Sequence, residues 1–130
     1  MKHLKVKQEF KFTGKKPDKS ILDTFPKPSN IHTVVLLATE VTSLCPITKQ
    51  PDYHNIRITY CPLTKCVESK SLKLYLGGYR MVGTFTETLS SLIQKDLEGV
   101  LDCWVEVDTS SAPRGGIAIQ GTADSVGEKL

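Results

Sequence analysis

The sequence has no run approaching the roughly 20 apolar residues that a membrane-crossing helix needs. Nothing apolar follows its N-terminal lysines, so no secretory leader is read there. A chain of 130 residues lacks the length for a separate dinucleotide-binding domain, and one domain is expected. The four cysteines, Cys45, Cys61, Cys66 and Cys103, include no CxxC pair. Cys61 and Cys66 stand five apart with His54 upstream, which is no recognised structural zinc spacing, so no metal site is expected. Without a leader the chain is placed in a reducing cytoplasm, where these cysteines read as thiols and not as disulfides. No repeat or low-complexity tract interrupts the sequence.

The charge that is present is uneven. The formal net charge is +3, and residues 1–24 form a basic arm that begins MKHLKVKQEFKFTGKKPDK. Such an arm reads either as a solvated, partly flexible terminus or as an attractor of tRNA or DNA phosphates. Residues 25–122 are expected to form the domain proper, and the polar, small residues of 123–130 a loose tail. A domain this small leaves apolar surface exposed as a monomer, which is compatible with oligomerisation without requiring it.

Periodicity gives the elements. Pro26 and Pro28 exclude helix from DTFPKPSN. Ile31 to Val41 is β-branched and apolar, the pattern of a strand, and His54 to Tyr60 alternates with Ile56, Ile58 and Tyr60 on one face. From Glu68 to Tyr79 the leucines fall among lysines and serines in a helical pattern, where Gly77 and Gly78 mark a weak point or a close contact. A second helix is expected from Thr84 to Val100, with Phe85, Leu89, Leu92, Ile93 and Leu97 as its stripe and Thr84 with Glu87 as a capping box. Cys103 to Thr109 and Arg114 to Gly121 complete the order β-β-α-α-β-β. The fold class is α+β, an antiparallel sheet covered on one face by two helices.

Several positions could carry chemistry. Cys45 lies in a loop, SLCPITKQPDY, held by Pro46 and Pro51 with Asp52 close behind. A free thiol is only about 3% thiolate at neutral pH, so a nucleophile here needs donors or a base to raise that fraction, while a buried packing thiol is the other reading. Lys70 and Lys73 neighbour each other on one helix face, suited to phosphate or simply solvated. In APRGGI, Arg114 could clamp phosphate and the glycines admit a close backbone approach, or the string is a plain hairpin turn. Glu87 could accept two hydrogen bonds from the N1–H and 2-amino group of a guanine-like base, or serve the capping box.

Taken in order, the strings FPKP, SLCPITKQPD, VESKSLKLYL, Tyr79-Arg80 followed by Phe85-Thr86-Glu87, and PRGGI resemble the QueF family of nitrile reductases. These convert 7-cyano-7-deazaguanine to the 7-aminomethyl base. The resemblance runs from about Phe25 to Ile119, and ESKSLKLY is its most specific string. It implies a tunnelling fold, related to that of GTP cyclohydrolase I, assembled into a ring or barrel oligomer with sites between subunits, here a decamer of two pentamers. It implies Cys45 as the nucleophile that gives a covalent thioimide and Asp52 as the acid that protonates the nitrile nitrogen. Glu87, with Glu68, Ser69 and Thr86, would bind the deazaguanine, and Lys70, Lys73 and Arg114 would hold the phosphates of NADPH.

The sequence departs from the family at one position: Thr86 stands where these reductases carry histidine, and threonine cannot titrate near neutral pH. Two other functions share the residues. One is an amidinotransferase-like enzyme that adds ammonia to the nitrile of a 7-cyano-7-deazaguanine within tRNA or DNA, without NADPH. The other is a non-catalytic module that binds a purine-like ligand.

Overall fold

The computed structural model describes residues 15–129. The lysine-rich stretch 1–14 and Leu130 lie outside the described residues, and so does the greater part of the basic arm's proposed contact with nucleic acid. The chain order is β1 (Thr24–Pro26), β2 (Val34–Leu44), β3 (Pro51–Tyr60), β4 (Lys65–Val67), α1 (Ser69–Gly77), α2 (Thr86–Leu101), β5 (Val105–Ser111) and β6 (Gln120–Ala123).

β3 alternates as its sequence requires. His54, Ile56, Ile58 and Tyr60 point inward, and Tyr53, Asn55 and Arg57 point out. It sits between β2 and β5 in an antiparallel sheet of order β2-β3-β5-β6. β2 needs a correction to do the same. Between Ala38 and Val41 the register against β3 shifts, with Glu40 in the left-handed region at φ 61°. The extra residue turns Val41 and Ser43 onto the inner face, opposite in phase to Val35 and Leu37, which stay exposed. The strand thus starts later and runs further than the expected Ile31–Val41.

α1 opens on Glu68, whose carboxylate accepts from the N–H groups of Lys70 (2.7 Å) and Ser71 (2.8 Å). It buries Ser71, Leu72, Tyr75 and Leu76, whereas Leu74 faces solvent. α2 buries Leu89, Ile93, Leu97 and Leu101 completely against the inner faces of β5 and β6. The expected Thr84–Glu87 capping box does not form. The N-cap is Phe85, with no side-chain cap bond, and Thr84 lies outside the helix, its N–H donating to Leu44 O (3.0 Å) beside the parallel Leu44–Gly83 bridge and its hydroxyl donating to Phe85 O (3.2 Å).

The expected strand Arg114–Gly121 is also shorter. Arg114 and Ile117 pair across Gly115 (φ 58°) and Gly116 (φ 80°), a tight turn with both central residues at positive φ, and β6 begins at Gln120. β1 and β4 pair as a separate ribbon, Thr24 opposite Val67, which periodicity did not signal. The described end of the basic arm packs on the domain. Lys19–Ile21 form a 3-10 turn, Leu22 is buried, and a Cβ on Gly78 would meet Pro17 at 2.8 Å, which explains the glycine there as a close contact. After β6, Gly127–Lys129 form one further 3-10 turn. No helix among the described residues is long and apolar enough to cross a membrane.

Candidate active site

The β2–β3 hairpin carries Cys45 at its mouth. The loop closes through Cys45 N–H to Gln50 O (2.8 Å) and Lys49 N–H to Cys45 O (2.8 Å), with Lys49 itself at φ 62°. This holds a half-buried thiol in a turn where donors converge on it. The Thr48 hydroxyl and the N–H groups of Thr48 and Ile47 lower its pKa from the ordinary 9.0, against the opposing pull of burial and of Asp52. A thiol so placed carries more thiolate at neutral pH than a free cysteine, as a nucleophile requires.

Asp52 stands opposite Ser43 on the hairpin and accepts from Arg114 Nη1 (2.5 Å), while Arg114 Nη2 donates to Gln50 Oε1 (2.6 Å). The guanidinium is raised above its usual pKa, first by the Asp52 hydrogen bond and charge and also by Cys45. Arg114 reaches this loop because Ala112 N–H donates to Tyr53 O (2.8 Å) and the Gly115-Gly116 turn reverses the chain just beyond. Cys45, Asp52 and Arg114 therefore form one group. The Leu44–Gly83 bridge brings the start of α2 to the same end of the sheet, with Thr86 buried and Glu87 exposed in its first turn. β6 closes in behind them, a Cβ on Gly121 lying 3.5 Å from Glu87 Cα.

The remaining expected residues gather elsewhere, along the outer edge of β2. A cleft of about 430 Å³ lies between residues 36–42 of that strand and α1, lined by Ser69, Lys73 and Arg80 with Leu72 and Leu76 as its apolar wall. Lys70 is exposed beside it. The Glu68 carboxylate is engaged in the α1 cap, each oxygen accepting one N–H, from Lys70 and from Ser71, and these bonds lower its pKa. Within one chain Arg114 is thus grouped with the nucleophile and not with Lys70 and Lys73. Arg80 was not singled out from sequence, although it follows Tyr79 in one of the quoted strings. Thr48 and Gln50 were missed as well; both lie inside the loop string, but which of its polar groups turn toward the thiol depends on loop closure.

On the inner face beside Asp52 sit two more polar side chains that sequence reasoning did not weigh for catalysis. His54 Nε2 lies 2.9 Å from Ser43 Oγ, both residues buried. Their signal in the sequence is the spacing of two between Asp52 and His54, which puts them on one face of a strand. The four cysteines are free thiols, with Cys66 and Cys103 buried, and among the described residues no group of three His, Cys, Asp or Glu side chains could hold a metal ion.

A family model described as QueF-like protein matches residues 51–129. Among relatives, the NADPH-dependent 7-cyano-7-deazaguanine reductase of Bacteroides fragilis is 42% identical over 123 residues, 88% of this chain and 82% of that protein. The enzyme of the same name from Neisseria meningitidis is 46% identical over 115 residues, 86% of this chain and 72% of the relative. That of Syntrophobacter fumaroxidans is 43% identical over 106 residues, covering 79% and 68%. Among solved structures, the archaeosine synthase QueF-Like in the apo form superposes with a TM-score of 0.68 at 23% identity, over 76% of this chain and 95% of that one, a likeness of fold.

Proposed function

The chain belongs to the QueF-like family, and from that premise we propose that it reduces the nitrile of 7-cyano-7-deazaguanine to the 7-aminomethyl base with NADPH. The observation that carries the reading is the Cys45 thiol, stabilised toward thiolate by Thr48 and Ile47 at a loop whose far side is Asp52. A nitrile is a poor hydride acceptor, and covalent addition turns it into a more reducible C=N group. The Cys45 sulfur attacks the nitrile carbon, a C–S bond forms as one C–N π bond breaks, and the proton the thiol gives up is taken by the Asp52 carboxylate and passed to the nitrogen. The product of that step is a thioimide on Cys45.

Glu87 is exposed at the start of α2, free to accept from the N1–H and 2-amino group of the base, and buried Thr86 can hydrogen-bond but not titrate. Glu68 supports the site through α1, whose first turn it fixes with Ser69 at the cleft. The cleft fits a phosphate-bearing cofactor: Lys73 and Arg80 supply cations beside the apolar wall of Leu72 and Leu76, and Lys70 adds a third charge at its rim. NADPH bound there supplies the hydrides. Arg114 adds to phosphate binding by leaving Asp52, with which it is paired in this structure.

A homo-oligomer, two five-membered rings in the cytoplasm, completes this reading. Its support is the exposed outer face of β2, where Leu37 is 74% and Val35 43% accessible, together with the outer edges of β2, before its bridge at Leu44, and of β6, which pair with no strand among the described residues.

The test is NADPH oxidation with free 7-cyano-7-deazaguanine, followed beside mass spectrometry of product and protein. Oxidation with the aminomethyl base as product, abolished along with the adduct in Cys45→Ala, is the expected result. An adduct on Cys45 without NADPH consumption overturns reduction and favours addition of ammonia to the nitrile. Binding without any adduct leaves only the ligand-binding module.

A further inference from the structure

Gln50 is exposed and uncharged and has no part in the chemistry above, yet three connections of the site pass through it. Its carbonyl accepts from Cys45 N–H (2.8 Å), which closes the loop under the thiol. Its own N–H donates to Thr48 Oγ1 (3.3 Å), and the Thr48 hydroxyl is the group that most favours the Cys45 thiolate. Its side-chain Oε1 accepts from Arg114 Nη2 at 2.6 Å, while Arg114 Nη1 donates to Asp52 Oδ1 at 2.5 Å. The first two connections are made by the backbone. Only the third needs this side chain.

The Asp52–Arg114 pair needs a second hold. The arginine side chain is 42% exposed and that of Asp52 17%, and a surface ion pair leaves a long side chain many other poses. The turn beyond Arg114 packs against nothing near, since a Cβ on Gly115 or Gly116 would meet no atom within 4 Å. One hydrogen bond fixes a single point of the guanidinium, whereas two acceptors on its planar fork fix the plane. A neutral amide oxygen holds the arginine without competing with Asp52 for its charge. Because the guanidinium is taken on Oδ1, Asp52 Oδ2 is left without a hydrogen bond among the described residues.

We propose that Gln50 is a positioning residue for thioimide formation: by clasping Arg114 onto Asp52 Oδ1 it keeps Oδ2 available to the reacting atoms. The assignment rests on the reading of Cys45 and Asp52 given above and deepens it. In that step Oδ2 takes the proton as the Cys45 S–H bond breaks and the sulfur forms the C–S bond. The C–N π pair then becomes the N–H bond to which Oδ2 returns the proton. Thiol and nitrile together supply every atom and electron of the thioimide, so no reductant is needed and the step precedes hydride transfer. The clasp serves that step alone, and Arg114 is free to turn to phosphate afterwards.

The test follows adduct formation with 7-cyano-7-deazaguanine and no NADPH, by rapid quench and intact mass. It compares the wild type, Gln50→Met, Arg114→Ala and the double variant, each as the full chain. Methionine matches the length of glutamine and leaves both backbone connections in place. Gln50→Met is expected to lower the maximal rate about three- to tenfold, the effect of one hydrogen bond lost to the transition state. The nitrile concentration giving half that rate should not change, since the base is read at Glu87, and neither should the melting temperature. Arg114→Ala should be at least as slow, and adding Gln50→Met to it should cost nothing further, because the clasp then has no arginine to hold. A wild-type rate in Gln50→Met would overturn the clasp. Losses that multiply in the double variant would overturn it too, as would a raised half-saturating concentration or a lowered melting temperature in Gln50→Met. Wild-type protein that forms no adduct sinks the thioimide reading beneath the proposal, whereas an adduct formed equally fast by wild type and Gln50→Met sinks the clasp alone.

Discussion

At Cys45 the hydroxyl of Thr48 does chemical work that can be removed without touching the sulfur. That hydroxyl is the largest influence lowering the thiol's pKa, followed by the Thr48 and Ile47 N–H groups. Thr48→Val keeps the branched shape and the N–H but deletes the hydroxyl, so the thiol pKa rises. Below its pKa the thiolate fraction falls about tenfold per pH unit, and the more basic thiolate, with a Brønsted slope of roughly 0.4–0.5, recovers about half of that loss. The expected outcome is a drop of a few-fold in adduct formation and in iodoacetamide alkylation at neutral pH, with the pH–rate limb moved to higher pH and no loss well above it. An unmoved limb would mean that Thr48 does not set the thiol's ionisation. At this scale the site is half legible in sequence. Cys45 and Asp52 share one short string, whereas the partner of Asp52 is Arg114, 62 residues on, and no local pattern announces a contact at that distance.

Among the elements, β3 and α2 are readable because their inward residues keep strict periods, two and close to four, over many residues. β1, β4 and the true start of β6 are not, because strands of three or four residues are defined by distant partners such as Thr24 and Val67. β2 fails for another reason. A regular strand ending at Val41 puts Val35, Leu37 and Val41 on one face, and the bulge at Glu40 reverses that for everything after it. The bulge thereby sets Ser43 beside His54 and aims the chain that ends in Cys45. A non-glycine residue in the left-handed region costs roughly 1–2 kcal/mol, part of which glycine recovers. Glu40→Gly is therefore expected to hold or raise stability by up to about 1 kcal/mol in denaturant melts, with adduct formation unchanged. Deleting Glu40 should instead turn Ser43 and Val41 outward and abolish the adduct. A deletion variant that still forms it would show that the bulge does not orient the loop.

For the molecule as a whole, the N-terminal stretch and the two helices meet at one buried polar cluster. Tyr75 Oη donates to Asp96 Oδ2 (2.6 Å) and lies 3.0 Å from Tyr79 Oη, and Lys16 Nζ reaches the same Asp96 oxygen at 2.6 Å. Folding in this way depends on neutral phenols. Burial is the largest cause raising both: Tyr79 goes from 10.0 to about 12, and Tyr75 moves further in the same direction. Tyr60, buried against the β4 ribbon and bonded to Val67 N–H (3.1 Å), is likewise pushed up to about 12, first by burial. A folded-state pKa above the unfolded value means that the native state holds protons the unfolded chain has already lost. Stability from these groups is complete below pH 10 and drains away as pH rises toward about 12. Melting temperature is expected to fall steeply across that window, together with the rise of phenolate absorbance. Tyr79→Phe removes one titrating group and one hydrogen bond, while Tyr75 keeps Asp96 as its acceptor. It should melt lower at neutral pH, by about 1 kcal/mol, yet decline less steeply with alkali than the wild type. Phenols that titrate reversibly near pH 10 without loss of structure would show that the cluster opens to water and does not fasten the N-terminal stretch to the helices.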